Sequence, residues 1–106
     1  MSRAEEIILL AVAKLPGEAY GVTIRSQIQN DIGRTWSFGV IYKTLKKLRA
    51  KGYVRRIASA PLPERGGRSR FYYELMSDGL AALEELRRIH LSLWKGATGL
   101  IFGEKN

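Results

Sequence analysis

The chain has 106 residues, enough for one domain whose modest core gains stability by burying further surface against a partner. Hydrophobic residues make up 45% and charged residues 26%, which excludes wholesale disorder, and the absence of cysteine excludes disulfides, thiolate metal sites and cysteine nucleophiles. The net charge is +8, yet residues 34 to 70 alone hold eleven Lys or Arg against Glu64, so all of the excess sits in one third of the chain. So concentrated a cationic field attracts a polyanion, whose counterions are released on binding, whereas a merely solubilising face mixes both signs. The longest apolar run, Ile7 to Ala13, is seven residues, against about 20 for a membrane span, and no basic segment precedes it as in an export signal. A soluble, cytoplasmic protein with no membrane partner is expected.

Ser2-Arg3-Ala4-Glu5 has the form of a capping box and predicts a first helix from about Arg3 to Lys14. Its Ile7 to Ala13 stretch is apolar on every face, which in so small a protein points to cover from a second subunit as well as from the core. Pro16-Gly17 breaks the chain, and a short second helix follows over Val22 to Asp31, with Ile24 and Ile28 on one face. Gly33 closes it, and Ser37 is the N-cap expected for a third helix from about Phe38 to Lys51. There Ile41, Leu45 and Leu48 form a core-facing stripe, which turns Tyr42, Lys43, Lys46, Lys47 and Arg49 outward.

After Gly52, Tyr53 to Ala58 and Arg70 to Met76 read as two strands, joined by a basic tip in which Pro61, Pro63, Gly66 and Gly67 continue neither. A fourth helix from Asp78 to about Lys95 repeats Leu80, Leu83, Leu86, Ile89 or His90, and Leu93 every three to four residues. It is too long for so small a domain to cover, which makes it the expected dimerisation element. The glycine-broken apolar segment after Gly96 reads equally as frayed or as folded back on a partner.

The expected fold class is α+β and mainly helical: a winged helix-turn-helix of three helices and a two-stranded wing over residues 1–76, followed by a dimerisation helix and tail over 77–106. In such a motif the third helix enters the major groove of double-stranded DNA with its N-terminal residues at the base edges. Ser37, Phe38, Gly39, Tyr42, Lys43, Lys46 and Lys47 are the expected contacts on that helix, with Arg65, Arg68 and Arg70 on the wing. Ile7, Leu10, Leu83, Leu86, His90, Leu93 and Trp94 are the expected homodimer interface.

Trp36 through Leu48, followed by Gly52-Tyr53-Val54, resembles the recognition-helix signature of the PadR-like repressors: a Ser, a Gly, an aliphatic-Tyr pair, spaced leucines and a closing Gly. Gly66 through Leu75 is similar to that family's wing, and Tyr20-Gly21 to the start of its second helix, so that the resemblance spans about residues 7 to 90. Where the family has Thr before its last helix this chain has Met76, which moves the cap to Ser77 or Asp78. The resemblance implies a dimeric repressor on an inverted-repeat operator, released by a small effector.

Plainer readings stand beside these. Tyr42 lies one position off the Ile41 stripe, which favours a phosphate contact over half-burial, and Trp36 reads as packing. His90, the only histidine, sits among leucines as interface packing rather than as a metal ligand. An enzyme would need a nucleophile beside a base, paired carboxylates or a metal cluster; none stands in the sequence, so no catalytic residue, metal or cofactor is expected. Two rivals remain: a winged helix that binds protein alone, and a multidrug or aromatic-ligand sensor that stacks a flat effector on Trp94 at the dimer interface.

Overall fold

The computed structural model describes residues 1–59 and 70–103. Along the chain run α1 (Arg3–Ala13), α2 (Gly21–Ile32), α3 (Phe38–Ala50), β1 (Val54–Ala58), β2 (Phe71–Leu75), α4 (Ser77–Trp94) and α5 (Ala97–Phe102). The predicted elements are all present in the predicted order, with ends that differ by a residue or two. The wing tip, with Arg65 and Arg68, lies outside the described residues.

Local chemistry sets most of the boundaries. Ser2 and Glu5 exchange side-chain and backbone hydrogen bonds at the start of α1 (2.9 and 3.1 Å), and the Ser37 hydroxyl accepts from the Val40 N–H at the start of α3 (3.2 Å). α2 and α3 end at Gly33 and Gly52, whose φ values of 69° and 76° suit only a residue without Cβ. The start of α4 departs from expectation. Met76 occupies the N-cap position and Ser77 is already helical; no side chain among the described residues caps this helix, and the Met76 N–H donates to the Tyr53 carbonyl (2.9 Å), which ties the helix start to the foot of the wing.

Ile8, Leu9 and Val12 of α1, Ile24 and Ile28 of α2, and Ile41, Leu45 and Leu48 of α3 interlock into a core closed below by Val54 and Tyr73 of the wing. Thr44 completes the buried stripe of α3 by donating its hydroxyl to the Val40 carbonyl (2.8 Å), so that it enters the core with its polar group satisfied. The strands pair antiparallel, Val54 opposite Leu75 through Ala58 opposite Phe71. At the Arg56–Tyr73 pair the Tyr73 N–H points away from β1 and donates to the Ala19 carbonyl (2.8 Å), which ties the wing to the start of α2.

α4 contributes little to that core: only Gly79 is buried, while Leu83 packs at its margin. A Cβ on Gly79 would stand 2.3 Å from the Tyr53 carbonyl oxygen, so glycine is what lets the helix lie against the foot of the wing. Beyond that point α4 runs past α1, where His90 reaches Glu6, to the exposed Leu93 and Trp94. Within the single chain the core covers α1 on one side only, leaving Ile7 half-buried and Leu10 38% exposed. The tail turns back at Gly96 into α5, placing the Phe102 ring parallel to Trp94 at 6.2 Å.

One ion pair crosses this core at its edge. Glu5, its side chain 8% exposed, lies 2.6 Å from the Lys51 ammonium at the end of α3. Burial alone would push its carboxyl up, but Lys51 and the hydrogen bonds with Ser2 outweigh burial and hold it at about 2 against 4.5. A depressed pKa contributes stability that is complete above about 4.5 and is lost as pH falls through about 2. Glu5→Gln should therefore lower stability by roughly 1–3 kcal/mol at neutral pH. It should also flatten the acid limb of the stability profile, read from thermal melts at stepped pH. A variant with the parent's acid limb would show that Glu5 does not carry it.

Candidate nucleic-acid interface

The buried stripe of Ile41, Thr44, Leu45 and Leu48 divides the exposed surface of α3 into an outer face and two flanks. Gly39 and Lys43 lie on the outer face, and a Cβ on Gly39 would meet nothing nearer than the Ser37 hydroxyl at 3.9 Å, so this surface is open. Phe38, Tyr42, Lys46 and Arg49 follow one another along the flank nearest α2 and the wing, and Val40 and Lys47 along the other. The expected contacts of the third helix thus divide between faces. The Ser37 hydroxyl oxygen is committed to its cap, which leaves its proton to donate.

Tyr42 is 49% exposed, and its ring stacks on Phe38 at 6.2 Å. Its hydroxyl reaches the first turn of α2, where a Cβ on Gly21 would stand only 2.1 Å from it. The smallest residue at that turn makes room for the largest on the flank. Phe38 is covered on another side by the Arg25 guanidinium, 4.7 Å above its ring. Trp36 packs against the core, in keeping with its structural reading.

Between this flank, the start of α2 and the wing lies a cleft of about 870 Å³ lined by Tyr20, Gly21, Tyr42, Phe71 and Tyr73 with Lys46, Arg49, Arg56 and Arg70. Among the described residues no carboxylate lines it. Arg70 is half-buried here, not held out at the wing tip: its guanidinium lies 3.9 Å over the Tyr20 ring and donates to the Tyr72 hydroxyl (3.2 Å). Arg56 lies 4.2 Å over Phe71. Burial pushes the Tyr73 hydroxyl above the usual tyrosine range, against the pull of the Arg56 and Arg49 charges. Among the described residues these four cations make no salt bridge, whereas Arg55, on the opposite face of β1, pairs with Glu74 at 3.0 Å.

Arg49, Arg56 and Arg25 are absent from the contacts expected from sequence. Arg49 was within reach, since it stands seven positions after Tyr42 on one flank. Arg56 needed the register of the hairpin, which puts it opposite Tyr73.

The expected interface residues fall at the other end of the molecule. Leu83, Leu86 and His90 turn toward α1, where the His90 Nε2 lies 3.0 Å from a Glu6 carboxylate oxygen. Leu93 and Trp94 are 70% and 53% exposed. Ile7 and Leu10 face the same side from α1, and an apolar groove of about 440 Å³ runs between the helices, lined by Leu10, Leu80, Leu83, His90 and Leu91. Among the described residues no three His, Cys, Asp or Glu gather as a metal site, and no helix is long and apolar enough to cross a membrane.

A family model described as the transcriptional regulator PadR-like family matches residues 9–85. In three dimensions the chain is similar to a PadR-like transcriptional regulator (BC4206) from Bacillus cereus strain ATCC 14579, with a TM-score of 0.75 and 23% identity over 94% of this chain and 92% of that one. It is similar too to a PadR family transcription regulator from hypervirulent Clostridium difficile R20291, with a TM-score of 0.72 and 20% identity over 95% and 99%. Smu.1704 from Streptococcus mutans UA159 aligns with a TM-score of 0.68 and 28% identity over 97% and 92%. A search of curated proteins finds no match.

Tyr42→Phe keeps the ring that stacks on Phe38 and removes only the hydroxyl. Its melting temperature should match the parent's, while affinity for cognate and unrelated duplex DNA falls together by about 0.5–1.5 kcal/mol, as for one lost hydrogen bond. Paired titrations at one salt concentration check this, and unchanged affinity would place the hydroxyl away from DNA.

Proposed function

The chain belongs to the PadR-like family of transcriptional regulators, and on that premise we propose that it is a dimeric repressor that binds an inverted-repeat operator. The reading rests on one observation above the others: α3 presents Lys43, Lys46 and Lys47 on its exposed surface beside a cleft that adds Arg49, Arg56 and Arg70 and, among the described residues, no carboxylate. Ser37, Gly39 and Lys43 at the open end of α3 meet base edges, while Tyr42, Lys46 and Arg70 meet phosphates on the flank toward the wing, where Arg65 and Arg68 add charge. Residues 1–76 form the reading head, and residues 77–106 join two heads.

The joining surface is α4 with the outer side of α1. Leu80, Leu91, Leu93 and Trp94 are between 48% and 70% exposed, more apolar surface than a lone small domain leaves in water. A second copy laid along the groove between α1 and α4 covers Leu10, Leu83 and Leu86 from outside, and two heads related by a two-fold axis require a symmetric site. A small effector that alters the angle between heads releases DNA. The aromatic-ligand sensor remains a second reading, favoured by the exposed Trp94 and its parallel stacking with Phe102, a pair of flat faces beside the same groove.

Footprinting on the DNA upstream of its own coding sequence tests the whole reading at once. The expected result is protection of two symmetric half-sites that weakens steeply with salt. Absence of any protection at low salt would favour a winged helix that binds protein alone. Leu93→Glu places a charge on the exposed end of α4, away from the reading head. It should shift the protein from dimer to monomer in analytical ultracentrifugation and reduce operator affinity by about tenfold or more, since the two half-sites are then bound separately. A Leu93→Glu protein that remains dimeric would move the interface elsewhere.

A further inference from the structure

The cleft beside α3 holds more than the recognition helix requires. Reading base edges uses the open face of α3, yet Arg49 and Arg56 lie on the flank and on the wing, and both line the open cleft between them. The backing of that volume is aromatic: Phe71 lies under Arg56, and Tyr20 under Arg70. A guanidinium stacked on a ring keeps its charge and its in-plane N–H groups while losing freedom to swing, and this disposition suits a phosphate. The Arg70 guanidinium donates once, to Tyr72, and its buried Nη2 has no hydrogen-bond partner among the described residues. The Thr23 hydroxyl accepts from the Tyr20 N–H (2.9 Å), but no side chain among the described residues caps the first turn of α2, which at Gly21 and Val22 forms one wall and carries the partial positive charge of a helix start.

We infer that this cleft seats a single DNA backbone phosphate, gripped between Arg49 of α3 and Arg56 of the wing and met by the Tyr42 hydroxyl and the start of α2. The inference rests on the DNA-binding reading and deepens it. It assigns the two arginines one shared ligand rather than two separate ones, and it makes the gap between recognition helix and wing a fixed point on the sugar-phosphate chain. At about 870 Å³, and open on one side, the cleft admits the phosphate together with its flanking sugars. Gly21 is part of the seat, since any larger residue there meets the Tyr42 hydroxyl.

Sharing has a thermodynamic signature. The salt slope of binding counts phosphates neutralised, at about 0.9 per phosphate on duplex DNA. Two arginines on one phosphate therefore differ from two arginines on two. With an arbitrary 30-base-pair duplex titrated at stepped salt, the double variant Arg49→Gln/Arg56→Gln should lower the slope by about one and no further, and each single variant by up to that amount. Arg55→Gln, with the same charge change on the opposite face of β1, should leave the slope close to the parent's. Thermal melts of each protein confirm that it is folded. On a footprinted operator, one neutral methylphosphonate per half-site supplies the reciprocal test without altering the protein: at the seated position it should weaken the parent several-fold and the double variant, which keeps only the Tyr42 hydroxyl and the start of α2 there, much less.

A slope change of about two in the double variant would overturn the shared seat, as would a full-sized effect from Arg55→Gln or a methylphosphonate scan in which every position weakens both proteins equally. In each of those outcomes the protein still binds DNA and the broader reading stands. If the parent binds no duplex at low salt, both readings fall together.

Discussion

Tyr73 is where the parts of this molecule are made to agree. Its ring closes the bottom of the helical core, its N–H is spent on the Ala19 carbonyl, and its hydroxyl emerges toward Arg49 and Arg56. A β-hairpin of five-residue strands has little stability of its own in water. It becomes a fixed wing because one residue of β2 is core on one side and sheet on the other, with a third backbone segment bonded to its outer edge. The start of α2, the flank of α3 and the base of the wing thereby share one frame, and the cleft between them has walls from all three.

Concentrating positive charge in a third of so short a chain opposes folding, since like charges repel across a compact body. The usual remedy, a carboxylate beside each cation, would cancel the field that attracts DNA. Here rings take much of that role. Arg25 lies on Phe38, Arg56 on Phe71 and Arg70 on Tyr20, each within 5 Å of a ring centroid. Such contacts stabilise a cation by about 0.5–1 kcal/mol at an exposed site without neutralising it. Carboxylates appear instead where the charge is not wanted for binding: Glu5 with Lys51 at the back of the core, Glu74 with Arg55 on the far face of the wing.

What could be read from sequence was what depends on near neighbours. The Ser2 and Glu5 capping box, the closing glycines of α2 and α3, and the Ile41, Leu45 and Leu48 stripe act within about one or two turns, and each element stands where those signals put it. The order of the elements and the basic third helix gave the winged helix-turn-helix, and the family resemblance, supported by the match over residues 9–85, agreed with it. What escaped was set by partners distant in the chain. Nothing around Glu5 announces Lys51, and nothing around Arg70 announces that it folds over Tyr20 rather than extending from the wing. The missing cap at Met76 was visible, but the bond from the Met76 N–H to the Tyr53 carbonyl, which fixes the start of α4, was not. The tail could be read either way, since two aromatic residues eight positions apart settle it by stacking across a glycine turn.

Gly79 also makes α4 a lever. The helix is pressed to the foot of the wing at that one buried residue, close against the Tyr53 carbonyl, and runs fifteen residues further to Trp94. At about 1.5 Å of rise per residue the arm is about 22 Å long, so a tilt of about 5° at this fulcrum sweeps its far end through about 2 Å. The same tilt shifts atoms beside Gly79 by only a small fraction of an ångström, within the give of ordinary packing. On its way the arm passes α1, where the His90 Nε2 lies 3.0 Å from a Glu6 carboxylate oxygen, so such a tilt shears this contact before it is magnified at the tip.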